Sequence, residues 1–344
     1  MVGVMRGKLA RPISFGTSCL TSRTLPVAMT APSAAELPGG SRRSPLVVLA
    51  ASLVGISFAA PLTRLSASPA IVIAAWRLGL SLIIVAMALV VTGTWREWRL
   101  LSRREVWLAV SGGVLLALHF WSWSASLRYT TVAASVSLVN LQPVLIAGVS
   151  GFWLREPPSK RQWLGVLLAV VGALVVGFAD IPGGASGVVA ALAGSGTGGR
   201  ALFGDLLALI GAVTAALYYL IGRRLRLRIG VWSYVAIAYG AAFLTCVALA
   251  FATQQPLVPQ PPRELAIFAG LAIGPMLFGH TGMNWALGHL PAFVVNLTTL
   301  GEPIGATVLA ALLPGIGEVP GVGTLVGGGI VLVGVLLAAW RARP

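Results

Sequence analysis

Charged residues are scarce in this chain, and acidic residues are the scarcest of them. Only 10% of its 344 residues are charged, and nine of these are Asp or Glu. In soluble domains about a quarter of the residues are charged. A soluble fold of this length would also leave many positions in contact with water. The composition therefore excludes a soluble globular protein.

Cysteine and histidine are also rare. Cys19 lies near the N-terminus and Cys246 lies in an apolar run, so no structural disulfide is expected. His119, His280 and His289 are too scattered to indicate a metal site, and we expect neither a metal nor a cofactor. No constellation of carboxylate, metal-binding and nucleophilic residues points to an enzyme. A membrane-embedded enzyme remains the alternative from a different functional class.

Apolar residues, in contrast, make up 57% of the chain. They are concentrated in ten runs of about 20 residues, the length that crosses the hydrocarbon core of a bilayer. The runs are 44–63, 70–92, 106–127, 131–153, 162–179, 203–221, 232–252, 264–287, 291–313 and 320–340. We predict an all-α integral membrane protein with ten transmembrane helices.

Two segments lack this apolar pattern. Residues 1–43 are rich in Ser, Pro, Thr and Arg, which predicts a disordered N-terminal tail. The tail either resembles a targeting segment or precedes an alternative translation start at Met29. Residues 180–202 are rich in Gly and Ala and are predicted to form a flexible linker between the two halves of the chain.

Two stretches of the sequence match each other across the two halves. Gln142-Pro143 corresponds to Glu302-Pro303, 160 positions later. Three further pairs, 162 positions apart, are Glu156 and Glu318, Gly165 and Gly327, and Gly172 and Gly334. Each half holds five spans, an odd number, so the second copy enters the membrane in the opposite sense. The chain is therefore predicted to contain two inverted five-helix repeats, 44–179 and 203–340.

The 24 Lys and Arg residues are unevenly distributed between the two sides of the predicted helices. With a cytoplasmic N-terminus, nineteen of them are cytoplasmic, and four, Arg64, Arg128, Arg200 and Arg263, face the other side, while Arg77 lies inside span two. This is the asymmetry of the positive-inside rule, so both termini of this multi-pass protein are predicted to be cytoplasmic, in the cell membrane. The net charge of +15 then sets the topology and attracts lipid, and nucleic acid is not an expected partner.

Several short motifs follow one another along the chain. They are Gly55-Ile-Ser-Phe58, Ala75-Trp-Arg77, Gln142-Pro143-Val, Leu154-Arg-Glu156, Gly204-Asp205-Leu-Leu-Ala-Leu, Glu302-Pro303-Ile and Gly317-Glu318. In their order and spacing these motifs resemble the EamA-like branch of the drug/metabolite transporter (DMT) superfamily. The resemblance covers residues 44–340. Val54 departs from the family pattern, which usually has Trp before the glycine. The resemblance implies transport of small metabolites, often export.

Ionisable side chains inside apolar spans are the first functional candidates, because each costs about 2.5–3.5 kcal/mol to insert into a bilayer. Arg77 in span two can bind a substrate carboxylate or phosphate, or it can pair with Glu302. Glu302 in span nine can carry a proton, hold Arg77 or cap a broken helix. His119, deep in span three, can exchange a proton or bind substrate.

Other candidates are polar or aromatic residues of the same spans. Those proposed to line the binding or translocation cavity are Trp76, Trp123, Asn140, Gln142, His280 and Asn284. Pro143 and Pro303 are predicted hinges, because proline removes a helix hydrogen bond. Glu156 and Glu318 are interpreted as caps of helix starts.

These features predict an alternating-access transporter that exports small metabolites such as amino acids or related compounds. A proton-coupled multidrug efflux pump is the alternative, with Glu302 as the titrating group. A sugar or nucleotide-sugar carrier shares the ten-span plan, but a strongly anionic substrate would require more cations than Arg77 and His119 provide. The expected partners are a small-molecule substrate and the lipid bilayer.

Overall fold

The computed structural model describes residues 45–129, 135, 138–179, 198–302, 304–306, 309 and 322–339, and this part of the chain is helical without a β-strand. Its α-helices are α1 Pro45–Ser57, α2 Ala59–Leu65, α3 Ala70–Thr92, α4 Arg103–Ser126, α5 Gln142–Trp153, α6 Lys160–Ala179, α7 Gly198–Arg226, α8 Val231–Ala252, α9 Pro262–Leu271, α10 Gly282–Ala286, α11 Ala292–Leu297 and α12 Val322–Ala339. Two 3₁₀ helices, Thr94–Leu100 and Thr298–Gly301, and a π-helix, Ala272–Thr281, complete the described elements.

Six helical segments of the described chain are long and apolar enough to cross a membrane. They are Pro45–Leu65, Ala70–Thr92, Arg103–Ser126, Phe203–Arg226, Val231–Ala252 and Pro262–Ala286. They coincide with predicted spans one, two, three, six, seven and eight, so the all-helical membrane fold is confirmed there. Helix α6 covers predicted span five, and α5, α11 and α12 cover parts of predicted spans four, nine and ten, where the described residues are incomplete. The total of ten spans stays a prediction.

Helix ends between the second and third segments have well-defined caps. The α3 helix ends at Gly93, whose φ of 66° is left-handed and therefore favours glycine. The next helix, α4, begins after Ser102, whose hydroxyl accepts from the Glu105 amide while the Glu105 carboxylate accepts from the Ser102 amide. These caps fix the short connection between the two spans.

Helix α7 is longer at both ends than the predicted span 203–221, because it runs from Gly198 to Arg226. Its last turn carries three arginines that the sequence placed in a loop. Two of them have polar partners inside the bundle: Arg223 bonds Glu156, and Arg226 donates to the Asn284 carbonyl at 2.9 Å. The predicted tail, its alternative start at Met29 and the linker residues 180–197 lie outside the described residues.

The eighth span departs from a regular α-helix, which the sequence did not predict. Between α9 and α10 the backbone forms a ten-residue π-helix that contains Pro275. Proline lacks the amide hydrogen that an α-helix requires, so the regular hydrogen-bond ladder cannot continue through it. This segment packs closely on α1: a Cβ on Gly55 would lie only 2.8 Å from the amide nitrogen of Gly279.

Helices α6 and α12 pack against each other through glycines. A Cβ on Gly165 would lie 2.7 Å from the carbonyl oxygen of Gly334, and a Cβ on Gly172 would lie 2.7 Å from that of Gly327. Such short separations require residues without a side chain. These are the same glycines that match between the two sequence repeats.

The remaining helices form the wall around the interior. Helix α4 packs along α7 and α8, while α3 packs along α8. Four tyrosines of this wall, Tyr218 and Tyr219 of α7 and Tyr234 and Tyr239 of α8, are fully buried. The result is a tightly packed half of the bundle that holds the polar residues of α3, α4 and the eighth span in place.

Candidate functional site

A small polar cavity lies where the described spans meet, and it is called the central cavity below. Its volume is about 40 Å³, enough for roughly two or three water molecules. The side chains that line it come from seven segments of the chain; they are Ile56, Ala59, Arg77, His119, Phe120, Trp123, Val139, Gln142, Tyr219, His280, Met283, Thr299 and Glu302. Six sequence candidates are therefore brought together: Arg77, His119, Trp123, Gln142, His280 and Glu302.

Arg77 is the buried cation of the central cavity. Its side chain is only 2% exposed, and its guanidinium carbon lies 4.0 Å from the centroid of the Phe120 ring. The ring face stabilises the charge by a cation–π interaction. The Nε and Nη2 atoms have no hydrogen-bond partner among the described residues. A buried charge whose donors remain unpaired is unfavourable, so these donors favour the binding of an anionic ligand group.

Glu302 brings a carboxyl group to the same cavity. It directly follows the 3₁₀ helix Thr298–Gly301, which replaces a regular α-helical turn. In the described part of the chain no hydrogen bond or salt bridge joins Glu302 to Arg77, although both line the cavity. The expectation that Glu302 directly holds Arg77 is therefore not met by a close ion pair. Pro303, the predicted second hinge, lies outside the described residues.

Two histidines face the central cavity from different spans. Nδ1 of His119 lies 2.9 Å from the Gly211 carbonyl oxygen, which can only accept, so Nδ1 carries the proton. Nε2 is then the ring nitrogen left for a ligand. Nδ1 of His280 lies 3.2 Å from the Tyr219 hydroxyl. The two imidazoles are 6.4 Å apart, and Phe120 contacts both rings.

The helix of predicted span four is interrupted before Pro143, and this interruption contacts the second half of the chain. Helix α5 begins at Gln142 with Pro143 in its first turn, where proline is tolerated. The side-chain amide of Gln142 donates to the Thr299 hydroxyl at 3.2 Å, and this hydroxyl donates to the backbone carbonyl of Asn296 at 2.7 Å. The segments that match in sequence therefore meet beside the central cavity. The side-chain oxygen of Gln142, Oε1, has no hydrogen-bond partner among the described residues.

Three candidates do not line the central cavity. Trp76 donates to the Leu257 carbonyl at 2.9 Å and stacks on Phe268, so it lies in the wall formed with the segment after α8. Asn284 donates from Nδ2 to the Tyr218 hydroxyl at 2.5 Å and to the His280 carbonyl at 2.7 Å, while its Oδ1 has no hydrogen-bond partner among the described residues. Asn140 is buried at the break, outside the cavity lining.

Seven of the thirteen residues that line the cavity were not among the sequence candidates, and one residue elsewhere was misread. Phe120 and Tyr219 carry no charge, and inside apolar helices they read as ordinary core residues; their position is recognisable only from helix packing. Glu156 was expected to cap a helix, but it accepts from Arg223 at 2.6 and 2.9 Å. The α6 start is capped instead by Ser159, which exchanges hydrogen bonds with Gln162. The cap interpretation of Glu156 is wrong, and Glu318 lies outside the described residues.

Comparison with known proteins agrees with this architecture. The pattern that defines the EamA-like transporter family matches residues 44–178 and again residues 202–340. The chain is 26% identical over 277 residues to a Bacillus subtilis (strain 168) protein named "Uncharacterized transporter YyaM", and the match covers 78% of this chain and 84% of that protein. A solved crystal structure shares the fold with a TM-score of 0.68 and 20% identity, over 87% of this chain and 97% of its own.

Proposed function

The chain belongs to the EamA-like transporter family, and from this premise we propose that it exports small metabolites that carry a carboxylate, such as amino acids, by alternating access. Family membership makes it a membrane transporter with two copies of the family domain, not an enzyme. The substrate class, the direction and the transport cycle are the proposed parts. These parts of the proposal are based on the residues that line the central cavity.

The observation that carries the proposal is the buried guanidinium of Arg77. Its Nε and Nη2 donors lie side by side in the guanidinium fork, and neither has a hydrogen-bond partner among the described residues. This edge matches the two oxygens of a carboxylate, with which arginine forms paired, charge-assisted hydrogen bonds. Phe120 fixes the plane of the guanidinium from one face.

Glu302 and the histidines favour a substrate that also carries an amino group. A carboxylate in the same cavity can accept from an ammonium group while Arg77 binds the acid group of the same molecule. An amino acid would then pair both of its charges, which offsets the cost of removing them from water. Nε2 of His119 and the Gln142 carbonyl supply further acceptors at the cavity wall.

We further propose ten spans arranged as two inverted repeats. In support, Gly165 and Gly172 of α6 pack on Gly334 and Gly327 of α12, so equivalent positions of the two repeats lie in one interface. An approximate two-fold axis between the repeats produces such a pairing. The Gln142–Thr299 hydrogen bond joins the two matching breaks in the same way.

The proposed orientation places both termini in the cytoplasm and the protein in the cell membrane. Its basis is the concentration of arginines at one end of the helices, including Arg223, Arg224 and Arg226 in the last turn of α7. The opposite side, which carries Arg64, Arg128 and Arg263, is called the outer face below. An exported substrate would move from the arginine-rich face toward the outer face.

Alternating access explains the small volume of the central cavity. At about 40 Å³ the cavity admits water but no amino acid, so substrate entry requires the spans to move apart. The break before Pro143 and the π-helix of the eighth span interrupt regular helices beside the cavity. We propose these interruptions as the places where the helices bend.

A proton-coupled multidrug efflux pump is the second candidate. It is favoured by the buried carboxyl of Glu302 and by the aromatic rings of Phe120, Trp123 and Tyr219, which could contact flat apolar molecules. Under this alternative, Glu302→Gln would abolish uptake of a drug driven by a pH gradient in inside-out vesicles. Under the metabolite proposal, such vesicles would show no drug uptake that depends on Glu302.

The deciding experiment measures export directly. Cells would express wild-type protein, Arg77→Gln, Arg104→Gln or no transporter at matched membrane levels, and metabolites in the medium would be measured by mass spectrometry. Arg104 is an exposed arginine outside the cavity and serves as the charge-matched control. A class of carboxylate-bearing metabolites should accumulate outside with wild type and Arg104→Gln only. Identical profiles from all four strains would refute the proposal.

A further inference from the structure

Three hydrogen bonds on the arginine-rich side of the central cavity converge on Arg223. Its Nε and Nη2 donate to Oε1 of Glu156 at 2.9 and 2.6 Å, and its Nη1 donates to the Leu287 carbonyl at 2.6 Å. Glu156 lies between α5 and α6, Arg223 lies in the last turn of α7, and Leu287 directly follows α10. One guanidinium therefore joins three segments of the chain. These three residues are called the inner latch below.

The inner latch lies one helical turn from the central cavity. Tyr219 and Met283 line the cavity, and Arg223 and Leu287 follow them by four residues. Residues at this spacing share one helix face and are separated by about 6 Å along the helix axis. Helix α7 ends at the arginine-rich face, so the latch lies on that side of the cavity. A substrate that moves from this face to the cavity between α5 and α7 therefore passes the latch.

The latch connects a segment that can bend to a part of the bundle that is tightly packed. Arg223 belongs to α7, which packs along α4 in the tightly packed half of the bundle. Glu156 follows α5, and the other end of α5 is the break before Pro143, one of the proposed bending places. The 12 residues of α5 form an arm about 18 Å long between this break and the latch. Bending at the break would move Glu156 away from Arg223.

The ion pair of the latch has the features of a contact that can open. Both bonds from Arg223 end on Oε1 of Glu156, whose Oε2 has no hydrogen-bond partner among the described residues. A fully bidentate pair would use both carboxylate oxygens. The side chains of Arg223 and Glu156 are 11% and 23% exposed, so water can replace the lost hydrogen bonds when the two charges separate.

The backbone before Glu156 has an uncommon conformation. Arg155 has a φ of 58°, in the left-handed region that favours glycine. A residue other than glycine stays in this region only where surrounding contacts hold it there. The hydrogen bonds of the next residue, Glu156, to Arg223 are such contacts. Opening of the latch would therefore allow this segment to change its backbone conformation.

We propose that the inner latch is the gate that closes the central cavity to the arginine-rich face. This inference rests on the proposed export by alternating access and identifies the contact that regulates entry to the site. The Glu156–Arg223 pair breaks when α5 bends, and the substrate then reaches Arg77. The pair re-forms behind the substrate before the substrate is released at the outer face.

The first test measures whether the latch controls access to the central cavity. The full-length chain carries Cys19→Ser and Met283→Cys, which places a reporter thiol in the cavity lining. A membrane-impermeant methanethiosulfonate is added to sealed vesicles that expose the arginine-rich face, the orientation in which Arg104→Cys reacts. Peptide mass spectrometry gives the rate of modification. Adding Glu156→Gln should raise the rate at the reporter about five- to tenfold, because charge-assisted hydrogen bonds to Arg223 become neutral ones.

Two controls separate opening of the gate from loosening of the whole bundle. Glu105→Gln is the matched variant, because Glu105 of α4 pairs with Arg228 after α7 inside the tightly packed half, and it should leave the reporter rate unchanged. The native Cys246 is fully buried in α8 outside the cavity lining and should stay unreactive. A wild-type reporter rate in Glu156→Gln, or an equal increase in Glu105→Gln, would overturn the proposal. An equal increase at Cys246 would also overturn it, because the latch would then only stabilise the fold.

The second test holds the gate closed. Glu156→Cys and Arg223→Cys in one chain would be bridged by a bifunctional methanethiosulfonate, and transport of the exported metabolite would be measured in proteoliposomes. Bridging should stop transport, and a reductant that removes the bridge should restore it. The same bridge between Glu105→Cys and Arg228→Cys should leave transport unchanged, because these positions need not separate.

The two tests together distinguish failure of this inference from failure of the proposed function. If the bridged latch transports as well as the reduced one while Arg77→Gln is inactive, export stands and the gate is refuted. If wild type transports no metabolite but Glu156→Gln still speeds modification of the reporter and not of Cys246, the gate stands and the export proposal fails.

Discussion

The guanidinium carbon of Arg77 lies 4.0 Å from the centroid of the Phe120 ring, and these two residues come from different spans, α3 and α4. The aromatic face partly compensates the buried charge without occupying its hydrogen-bond donors. The donors thus remain available to a ligand while the orientation of the guanidinium is fixed. This relationship leads to the first prediction.

Arg77→Lys should impair transport although it conserves the charge. Lysine presents a compact ammonium, which neither stacks on Phe120 as a plane nor binds a carboxylate through two parallel hydrogen bonds. We expect the free energy of substrate binding to become less favourable by about 1.5–3 kcal/mol, which raises KM roughly ten- to hundredfold. Initial rates in proteoliposomes measure this effect. A wild-type KM for Arg77→Lys would show that the guanidinium shape is irrelevant.

Phe120→Leu tests the other half of the same relationship. Leucine keeps an apolar side chain of similar size but removes the ring face. We therefore expect a smaller loss of substrate-binding free energy, about 0.5–2 kcal/mol. The readout is again the KM for the exported metabolite, with the thermal stability of the purified protein as the control for folding. A variant that unfolds at a lower temperature would point to packing and not to the orientation of Arg77.

The sequence identified much of the central cavity because ionisable and amide groups are conspicuous in apolar helices. Arg77, His119 and Glu302 were found on this basis. It also proposed Trp76, yet consecutive residues of an α-helix point about 100° apart. Arg77 faces the cavity, so its neighbour Trp76 faces the wall instead. Choosing between such neighbours requires knowledge of which helix face is buried, and a nearly uniformly apolar span does not reveal it.

Contacts between residues far apart in the chain could not be predicted from the sequence for a different reason. Glu156 and Arg223 are 67 positions apart, and from the sequence each was given an ordinary local role, Glu156 as a helix cap and Arg223 as a cytoplasmic charge. Their contact exists only because α5 and α7 pack together. The π-helix of the eighth span was also missed, because Pro275 predicts an interruption but not the form that it takes.

The Glu156–Arg223 pair should be worth more than the Glu105–Arg228 pair. Both Glu156 and Arg223 are largely buried, and Arg223 also donates to the Leu287 carbonyl, whereas the Arg228 side chain is 56% exposed. Removing one partner of a buried pair costs about 3–5 kcal/mol, and partial exposure of Glu156 reduces this to roughly 2 kcal/mol. An exposed pair contributes about 0.2–1 kcal/mol.

Double-mutant cycles on thermal stability check this comparison. Glu156→Gln and Arg223→Gln, singly and together, should show strong coupling, while Glu105→Gln and Arg228→Gln should be nearly additive. Equal coupling energies in the two cycles would contradict the argument from burial.

Gly334→Ala should destabilise the bundle, although alanine is the better helix former. A Cβ at this position would lie 2.5 Å from the Ala169 amide nitrogen, so α6 and α12 must separate. Overpacking of this kind costs about 1–3 kcal/mol. Gly329→Ala is the matched control, because its Cβ would have no neighbour within 4 Å in the described structure. It should be neutral or stabilise slightly, by up to about 1 kcal/mol.

Thermal unfolding of both glycine variants in the same detergent provides the measurement. The ranking matters more than the absolute shift, since the two substitutions are chemically identical and lie five residues apart on α12. If Gly329→Ala proved as harmful as Gly334→Ala, the close α6–α12 contact would not be what the glycines provide.

His119→Asn should separate the structural from the functional nitrogen of the imidazole. The asparagine amide nitrogen occupies nearly the place of Nδ1 and can still donate to the Gly211 carbonyl, 2.9 Å from Nδ1 in the wild type. Nothing replaces Nε2, the nitrogen assigned to a ligand. We therefore expect His119→Asn to fold with wild-type stability but to transport at least about tenfold less efficiently, as expected for one lost ligand hydrogen bond in a buried site. His119→Phe is the contrasting variant, because it keeps the ring but loses both nitrogens and leaves the Gly211 carbonyl without this donor. It should lose stability and transport together. Wild-type transport by His119→Asn would restrict His119 to a structural role and leave Arg77 and Glu302 as the charged groups that select the substrate.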